Sequence, residues 1–422
     1  MAPTVPSMAS QRRGLLPALL LAAAVAILVS ELGPAFQAPP APRPAVGTPS
    51  RVAVQPLQAA TTFAGRSTPT HEVPVAEESE ASPLAILAAT TLAAAAAAES
   101  SSEEAKGGLW DKIKLPVYAG LWYFFNVQYN IQNKRLLTVF HANWAVSWIQ
   151  LAAGIPVALF MWGSGLVKAP KMTGSDYAKL APVGAAFAAG QVATVASLGA
   201  VAVSFTHVVK ALEPAVNAIA SALVLGQVFH PMVYASLLPV FAGVALASSK
   251  ELSFTMFGFL TAMASNFFFV TRNVLATKFG DVGDMGEEKT QRKTNQLAVL
   301  TGVATLVLLP VVLFLPGGLL SIPSAWKAAL ATGIPAGKLA YMMGASGFYF
   351  FMYQLSSFWV LSCVPPITHS VLNTLKRVVI IVVSIIVFRT PVTPQSAAGT
   401  AIAIGGVLLY SLTKAHYAKK GK

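Results

Sequence analysis

The chain has 422 residues, of which 55% are hydrophobic and 11% are charged, and its formal net charge is +13. Several apolar runs reach the length of roughly 20 residues that a helix needs to cross a membrane, so the composition predicts a polytopic membrane protein. The basic excess lies after residue 106 and belongs to the apolar part of the chain, which excludes a soluble nucleic-acid-binding domain and favours membrane lipids or an anionic solute as partners.

The first 106 residues have the composition of a targeting leader. Residues 1–35 carry Arg12 and Arg13 before an apolar stretch, as a signal peptide does. Residues 36–106 begin at Phe36, are rich in Pro, Ala, Ser and Thr, and are typical of a transit peptide with low-complexity sequence. Together they resemble the bipartite leaders of plastids acquired by secondary endosymbiosis, which implies the membrane of a complex plastid. A signal anchor followed by a lumenal low-complexity tail is the alternative.

Ten later segments are apolar and long enough to be membrane-spanning helices, which predicts an all-α membrane protein. They lie near residues 115–133, 143–165, 178–200, 205–227, 232–249, 254–276, 296–315, 339–362, 367–388 and 393–413. Lys and Arg concentrate in the loops on the side of the termini, so both termini are expected on one face of the membrane.

The second half of this region repeats features of the first half. The strings SFTHVVK and FAGVALAS, separated by Pro231, are matched by PITHSVL and IGGVLLYS, separated by Pro394. We therefore divide the core into repeats at residues 107–251 and 252–415, followed by a basic tail at 416–422. Because each repeat would hold about five spans, an odd number, the two repeats are expected to be inverted in the membrane.

The ninth segment carries an unusual set of polar residues. His369, Asn373, Lys376 and Arg377 share one helical face opposite a run of Val and Ile. Cations inside a membrane segment usually face a bundle interior or an aqueous cavity, and Arg and Lys suit a carboxylate or phosphate. This pattern predicts an anion site. A Lys-Arg pair that snorkels towards the lipid headgroups is the alternative.

The fourth segment repeats the polar pattern. Lys210 lies on one face with Thr206 and Glu213, and His207 is adjacent in sequence. Lys210 would add a further cation to the anion site. The alternative is a structural salt bridge between Lys210 and Glu213. Gln191 lies one helical turn from Thr194 on the third segment, where both can donate hydrogen bonds.

Several long motifs resemble one known family. These are WYFFNVQYNIQNKRLL, VAVSFTHVVKALEP, PPITHSVLNTLKRVVII and RTPVTP. They are similar to the plastid phosphate translocators of the drug/metabolite transporter superfamily, and the resemblance covers roughly residues 110–415. It implies ten helices in two inverted five-helix halves, and a strict exchange of a phosphorylated metabolite for inorganic phosphate. It implies no cofactor and no enzymatic activity.

The resemblance also implies roles for individual residues. Those expected to hold the phosphate group are Lys210, Lys376 and Arg377. Those expected to contact the carbon moiety are Gln191, Thr194 and Tyr353. Those expected to support the site are His207, His369 and Asn373. Gln191 departs from the His of triose- and hexose-phosphate members and from the Asn of phosphoenolpyruvate members.

The expected substrates are triose phosphate and 3-phosphoglycerate, with phosphoenolpyruvate or hexose phosphate as alternatives. A nucleotide-sugar carrier of the same superfamily is a further alternative. A membrane enzyme that acts on a lipid phosphate is the alternative of another class. The core holds eight acidic residues, half of them in residues 281–288, without a DxxD or HExxH pattern, which disfavours the enzyme.

Overall fold

The computed structural model describes residues 109–280 and 282–420. Within that part the chain is helical and contains no strand, which confirms the all-α prediction there; a single isolated β-bridge joins Lys171 to Asp284. The predicted leader, including Phe36 and the apolar segment at residues 84–98, lies outside the described residues.

The described helices follow the predicted segments in order. The first half contains α1 (Leu109–Val139), α2 (Asn143–Ala152), α3 (Gly154–Gly163), α4 (Gly174–Ala200), α5 (Val203–Val209), α6 (Glu213–Leu225), α7 (Pro231–Ala235) and α8 (Leu238–Ser249). The second half contains α9 (Met256–Phe279), α10 (Lys289–Phe314), α11 (Ile322–Ala331), α12 (Ala336–Cys363), α13 (Pro366–Phe388) and α14 (Pro394–Lys420). Two short 3₁₀ helices lie at Lys210–Leu212 and Leu319–Ser321.

Every predicted span coincides with a long helix or with consecutive helices in line. In the described part of the chain, seven of these are both long and apolar enough to cross a membrane. They are Asn143–Gly163, Gly174–Ala200, Val203–Leu225, Pro231–Ser249, Lys289–Phe314, Thr368–Phe388 and Pro394–Ala418. The other three, α1, α9 and α12, are long but more polar. The middle of α1 carries buried amides, among them Asn126, Asn130 and Asn133, so this part of the helix faces other protein rather than lipid.

Each half packs against the other in a matched way. Helix α9 packs on α4 and α6, while α1 packs on α12 and α13; α10 packs on α4, while α2 packs on α12. The largest apolar core lies among α1, α4, α10 and α12, and a second core joins α5, α6, α8 and α14. A cavity remains between these two cores.

Helices α8 and α14 cross with their backbones in contact. A Cβ atom on Gly243 would lie 2.3 Å from the backbone nitrogen of Ala403, and one on Gly406 would lie 2.8 Å from the backbone nitrogen of Val240. Small residues permit such close helix crossings in membranes. The two contacts are equivalent. At one constant offset in the sequence, Gly243 corresponds to Gly406 and Val240 corresponds to Ala403.

Candidate anion-binding cavity

The cavity has a volume of about 880 Å³ and is walled by helices from both halves of the chain. It extends to the connector between α9 and α10, where Gly280, Val282 and Met285 line it. Its charged lining in the described structure is six cations and one carboxylate, namely Lys210, Arg272, Lys293, Lys376, Arg377, Lys414 and Glu213. Such a lining attracts anions.

A break in the fourth span shapes one wall of the cavity. Pro214 has no N–H and cannot donate to the carbonyl of Lys210 as an α-helix requires. The chain forms a 3₁₀ turn at Lys210–Leu212, and the N–H of Glu213 donates to the Lys210 carbonyl. The carbonyl of Val209 consequently lacks the α-helical bond from the N–H of Glu213, and it accepts from Asn266 Nδ2 at 3.1 Å. The break therefore sets the direction of both Lys210 and Glu213.

Lys210 is held by hydroxyl groups and an aromatic ring. Its Nζ donates to Ser265 Oγ at 2.7 Å and to Thr194 Oγ1 at 3.3 Å, and it lies 4.7 Å from the centre of the Phe269 ring. These neighbours are neutral and orient the ammonium group without neutralising it. Thr194 lines the cavity beside it, and its own hydroxyl donates to the carbonyl of Gly190 at 2.8 Å.

Arg377 joins the two halves of the chain. Its guanidinium forms a salt bridge with Glu213 and donates to the carbonyl of Lys210. The alternative considered from the sequence, a salt bridge between Lys210 and Glu213, is therefore wrong, because Glu213 pairs with Arg377. The break at Pro214 explains this, because it brings the Lys210 carbonyl and the Glu213 carboxylate to the same donor. An Arg side chain has five N–H donors, so others remain for a ligand.

Among the three cations expected to bind phosphate, Lys210, Lys376 and Arg377, the least constrained is Lys376. Its Nζ lies 4.7 Å from the centre of the Trp122 ring, and no hydrogen bond or ion pair holds it among the described residues. His369 stacks on the same tryptophan, with ring centres 4.8 Å apart, and its Nε2 is 3.2 Å from Ser357 Oγ. Lys376 therefore presents an uncompensated charge to the cavity.

The other residues proposed to support the site also lie around the cavity. Asn373 and His207 both line it. The Nε2 atom of His207 is 2.9 Å from Asn130 Oδ1, and its buried Nδ1 has no hydrogen-bond partner in the described structure. The ring is thus held by a residue of α1.

Two further residues expected to contact the carbon moiety of the substrate, Tyr353 and Gln191, are placed differently from each other. Tyr353 is half-buried and lines the cavity. Gln191 is fully buried and is absent from the described lining. Its Nε2 donates to Tyr129 Oη at 3.0 Å and to Gln150 Oε1 at 2.6 Å. The structure therefore separates Gln191 from the cavity by Tyr129.

Comparison with known proteins identifies the family. The model of the triose-phosphate transporter family matches residues 113–411. The chain belongs to this family. It is 41% identical over 311 residues to the chloroplastic phosphoenolpyruvate/phosphate translocator 1 of Oryza sativa subsp. japonica, covering 74% of each chain. It is 39% identical to the chloroplastic glucose-6-phosphate/phosphate translocator 1 of Arabidopsis thaliana, covering 74% of this chain and 75% of that one.

A third relative of the family bears the name of a triose phosphate/phosphate translocator of non-green plastids, from Brassica oleracea var. botrytis. The identity is 39% over 311 residues, covering 74% of each chain. All three relatives are named as translocators of a phosphorylated compound and phosphate, and none is named as an enzyme. The family resemblance inferred from the sequence motifs is thereby confirmed.

Three cations of the described lining, Arg272, Lys293 and Lys414, were not among the site residues expected from the sequence of this family member, and Arg272 is the one beside Lys210 and Phe269. Arg272 lies with its guanidinium carbon 5.0 Å from the centre of the Phe187 ring and 5.3 Å from that of Phe269, and it donates to Asn273 Oδ1 at 2.9 Å. The signal was present: Ser265, Phe269 and Arg272 are spaced to share one face of α9. The run of three phenylalanines before Arg272 drew attention to the apolar character of this part of α9.

The end of the bundle opposite the α9–α10 connector is closed by polar contacts of the transporter core. Lys134 of α1 donates to the carbonyls of Leu198 and Val201 at 2.8 and 2.9 Å, which caps the end of α4. Ser197 Oγ donates to the carbonyl of Gly258 at 3.0 Å, which ties α4 to the start of α9. The Lys134 bonds lie within the first half, and the Ser197 bond fastens that half to the second at this end.

Proposed function

We propose that this protein exchanges a phosphorylated three-carbon metabolite, triose phosphate or 3-phosphoglycerate, for inorganic phosphate across a plastid membrane. The observation that carries the proposal is the convergence of Lys210 from the first half with Lys376 and Arg377 from the second half on one cavity. Phosphate is also the ligand shared by the names of all three relatives. Phosphate is therefore the group that these three cations bind.

The charges of the site suit a phosphate group. Lys210, Lys376 and Arg377 supply three positive charges, and the carboxylate of Glu213 offsets one of them. A phosphate ester carries about −1.5 to −2 charges at neutral pH, which balances the remainder. Lys210 and Lys376 act as point charges, while Arg377 offers its remaining N–H groups to the phosphate oxygens.

Arg272 bears on the identity of the carbon moiety. Its positive charge has neutral aromatic and amide neighbours, and it faces the same cavity. A substrate with a carboxylate in addition to the phosphate would balance this charge, as 3-phosphoglycerate does. Phosphoenolpyruvate meets the same condition, whereas triose phosphate and hexose phosphates carry no carboxylate, so Arg272 favours 3-phosphoglycerate of the two proposed substrates. Identity to the relatives does not separate these substrates, since the three values are 41%, 39% and 39%.

The architecture that we propose for this exchange is ten spans in two inverted halves, residues 107–251 and 252–415. The matched packing supports it: if α1 corresponds to α9 and α4 to α12, the contacts of α9 with α4 and α6 have counterparts in those of α1 with α12 and α13. The equivalent contacts of Gly243 with Ala403 and of Gly406 with Val240 support the same correspondence. Inverted repeats around a central site are suited to alternating access.

The exchange requirement follows from the cost of burying charge. Closing the cavity without substrate would enclose uncompensated cations, which is unfavourable in a medium of low polarity. A bound phosphate removes this penalty, so substrate stabilises the closed state relative to the open ones. The binding site then changes the side of the membrane to which it opens only when substrate is bound, which is the behaviour of an exchanger.

The plastid is proposed because the relatives carry chloroplastic names, and the complex plastid because of the leader at residues 1–106. Membrane lipids are the other expected partners.

The experiment is reconstitution of the purified protein in liposomes loaded with phosphate. Uptake of labelled phosphate, 3-phosphoglycerate, dihydroxyacetone phosphate, phosphoenolpyruvate, glucose 6-phosphate and a nucleotide sugar would be compared. We expect phosphate and the three-carbon esters to exchange only when a counter-substrate is inside. Exchange of the nucleotide sugar alone, or uptake without any counter-substrate, would contradict the proposal.

A further inference from the structure

A hydrogen-bonded network of uncharged side chains lies directly behind the cavity. It joins α1, α2, α4 and α12 through residues that are at most 2% exposed, namely Tyr129, Asn133, Gln150, Gln191 and Ser346. Gln150 Nε2 donates to Asn133 Oδ1 at 2.7 Å and to Ser346 Oγ at 2.6 Å. Buried polar groups inside a membrane protein are costly and usually serve a purpose.

Gln191 extends this network to the cavity wall. Its amide donates to Gln150 Oε1 and to Tyr129 Oη, so both of its N–H groups are used within the protein. Its Oε1 is buried and has no partner in the described part of the chain. Neither polar end of Gln191 faces the cavity, which leaves Tyr129 as the member of the network that lines it.

Tyr129 in turn contacts the tyrosine assigned to the carbon moiety. The rings of Tyr129 and Tyr353 lie 5.2 Å apart at an angle of 40°, and Phe350 packs 5.5 Å from each of them. In the described structure, no residue accepts from or donates to the Tyr353 hydroxyl, which is not among the buried unpaired atoms. The Tyr353 hydroxyl is therefore available to a ligand, and its position depends on Tyr129.

We propose that Gln191 selects the carbon moiety without touching it, as a positioning residue that acts through Tyr129. Tyr129 is then a further contact residue of the cavity, and it holds Tyr353 in place. The proposal rests on the exchange function above and moves the specificity role from Gln191 to the pair that Gln191 supports. An aromatic pair held by buried amides forms a stiff wall, and a stiff wall discriminates between carbon skeletons of different size.

A double-mutant cycle separates direct contact from positioning. In Gln191→Leu, Tyr129 loses one of its hydrogen bonds, and we expect KM for 3-phosphoglycerate to rise roughly three- to tenfold. KM for phosphate in phosphate–phosphate exchange should stay nearly unchanged, because the cations are untouched. Tyr129→Phe should produce a similar rise. Adding Gln191→Leu to Tyr129→Phe should then change little more, because the bond through which Gln191 acts is already gone.

The controls keep the result interpretable. Tyr349→Phe removes another buried tyrosine hydroxyl from α12, outside the described cavity lining, and should leave the ester-to-phosphate KM ratio unchanged. Normal phosphate–phosphate exchange by each variant shows that it is folded. If Gln191→Leu does not fold, Tyr129→Phe alone decides, and an unchanged KM for every ester overturns the proposal.

The double-mutant cycle also distinguishes failure of the positioning role from failure of the exchange function. If Gln191→Leu has the same effect in the wild-type and Tyr129→Phe backgrounds, Gln191 acts independently of Tyr129 and the positioning role is wrong, while the exchange function stands. If the wild-type protein exchanges neither phosphate nor any ester, the exchange function itself fails.

Discussion

Removal of the charge of Lys376 provides the most direct test of the cavity. In Lys376→Met the aliphatic stem is largely kept and can still pack on Trp122, while the ammonium group 4.7 Å from that ring is lost. Because no hydrogen bond or ion pair holds Lys376 among the described residues, its removal leaves no buried carboxylate unpaired. The variant should therefore fold normally.

The size of the effect follows from the interaction that is lost. A hydrogen bond to a charged group contributes about 1.5–3 kcal/mol. At about 1.4 kcal/mol per tenfold change, phosphate binding should weaken by about 10- to 150-fold. Since phosphate is common to every substrate, KM should rise by a similar factor for phosphate and for each ester.

The assay is exchange of labelled phosphate against internal phosphate or 3-phosphoglycerate in liposomes. Lys338→Met is the matched control, because Lys338 is exposed and lies outside the described cavity lining, and it should behave as the wild type. Normal phosphate exchange by Lys376→Met would mean that Lys376 is a snorkelling residue near a helix end. The assignment of Lys210, Lys376 and Arg377 to one phosphate site would then be refuted.

Three further predictions concern other parts of the molecule. A protein that begins at residue 107 should retain exchange in liposomes, because every proposed contact lies after that point; loss of exchange by a folded core would place function in the leader. Arg377→Met should lower the thermal unfolding temperature more than Lys376→Met does, because it leaves Glu213 without its partner; equal temperatures would contradict a stabilising salt bridge. Lys134→Met should speed amide hydrogen exchange around Val201, where it removes a hydrogen bond; unchanged exchange would show that this bond does not hold the end closed.

The sequence predicted the helical segments well because apolar runs of spanning length leave few alternatives to a helix. Length and apolar composition together identify seven membrane crossings in the described residues, because α1, α9 and α12 are more polar. Some of their polar groups bond to other helices, as Asn266 Nδ2 does to the carbonyl of Val209. Such partners are distant in the sequence and follow only from the folded arrangement.

The candidate site also combines features that the sequence predicts with features that only the folded arrangement shows. The shared helical face of Lys376 and Arg377 was readable from spacing alone. The partner of Glu213 was not, because it depends on the turn at Lys210–Leu212 and on contact between the two halves. The burial of Gln191 behind Tyr129 was equally hidden, since spacing along α4 does not reveal which neighbour fills the space before it.

The break at Pro214 has a consequence for how this protein could evolve. A regular α-helix would direct the carbonyls of Val209 and Lys210 along its axis, towards the N–H groups of residues 213 and 214. In this protein the irregular turn also lets them accept from Asn266 and Arg377, both from the second half. Local helix regularity and the joining of the two halves are therefore in opposition at this point. Selection for a sturdier helix here would loosen the connection between the halves at the centre of the cavity.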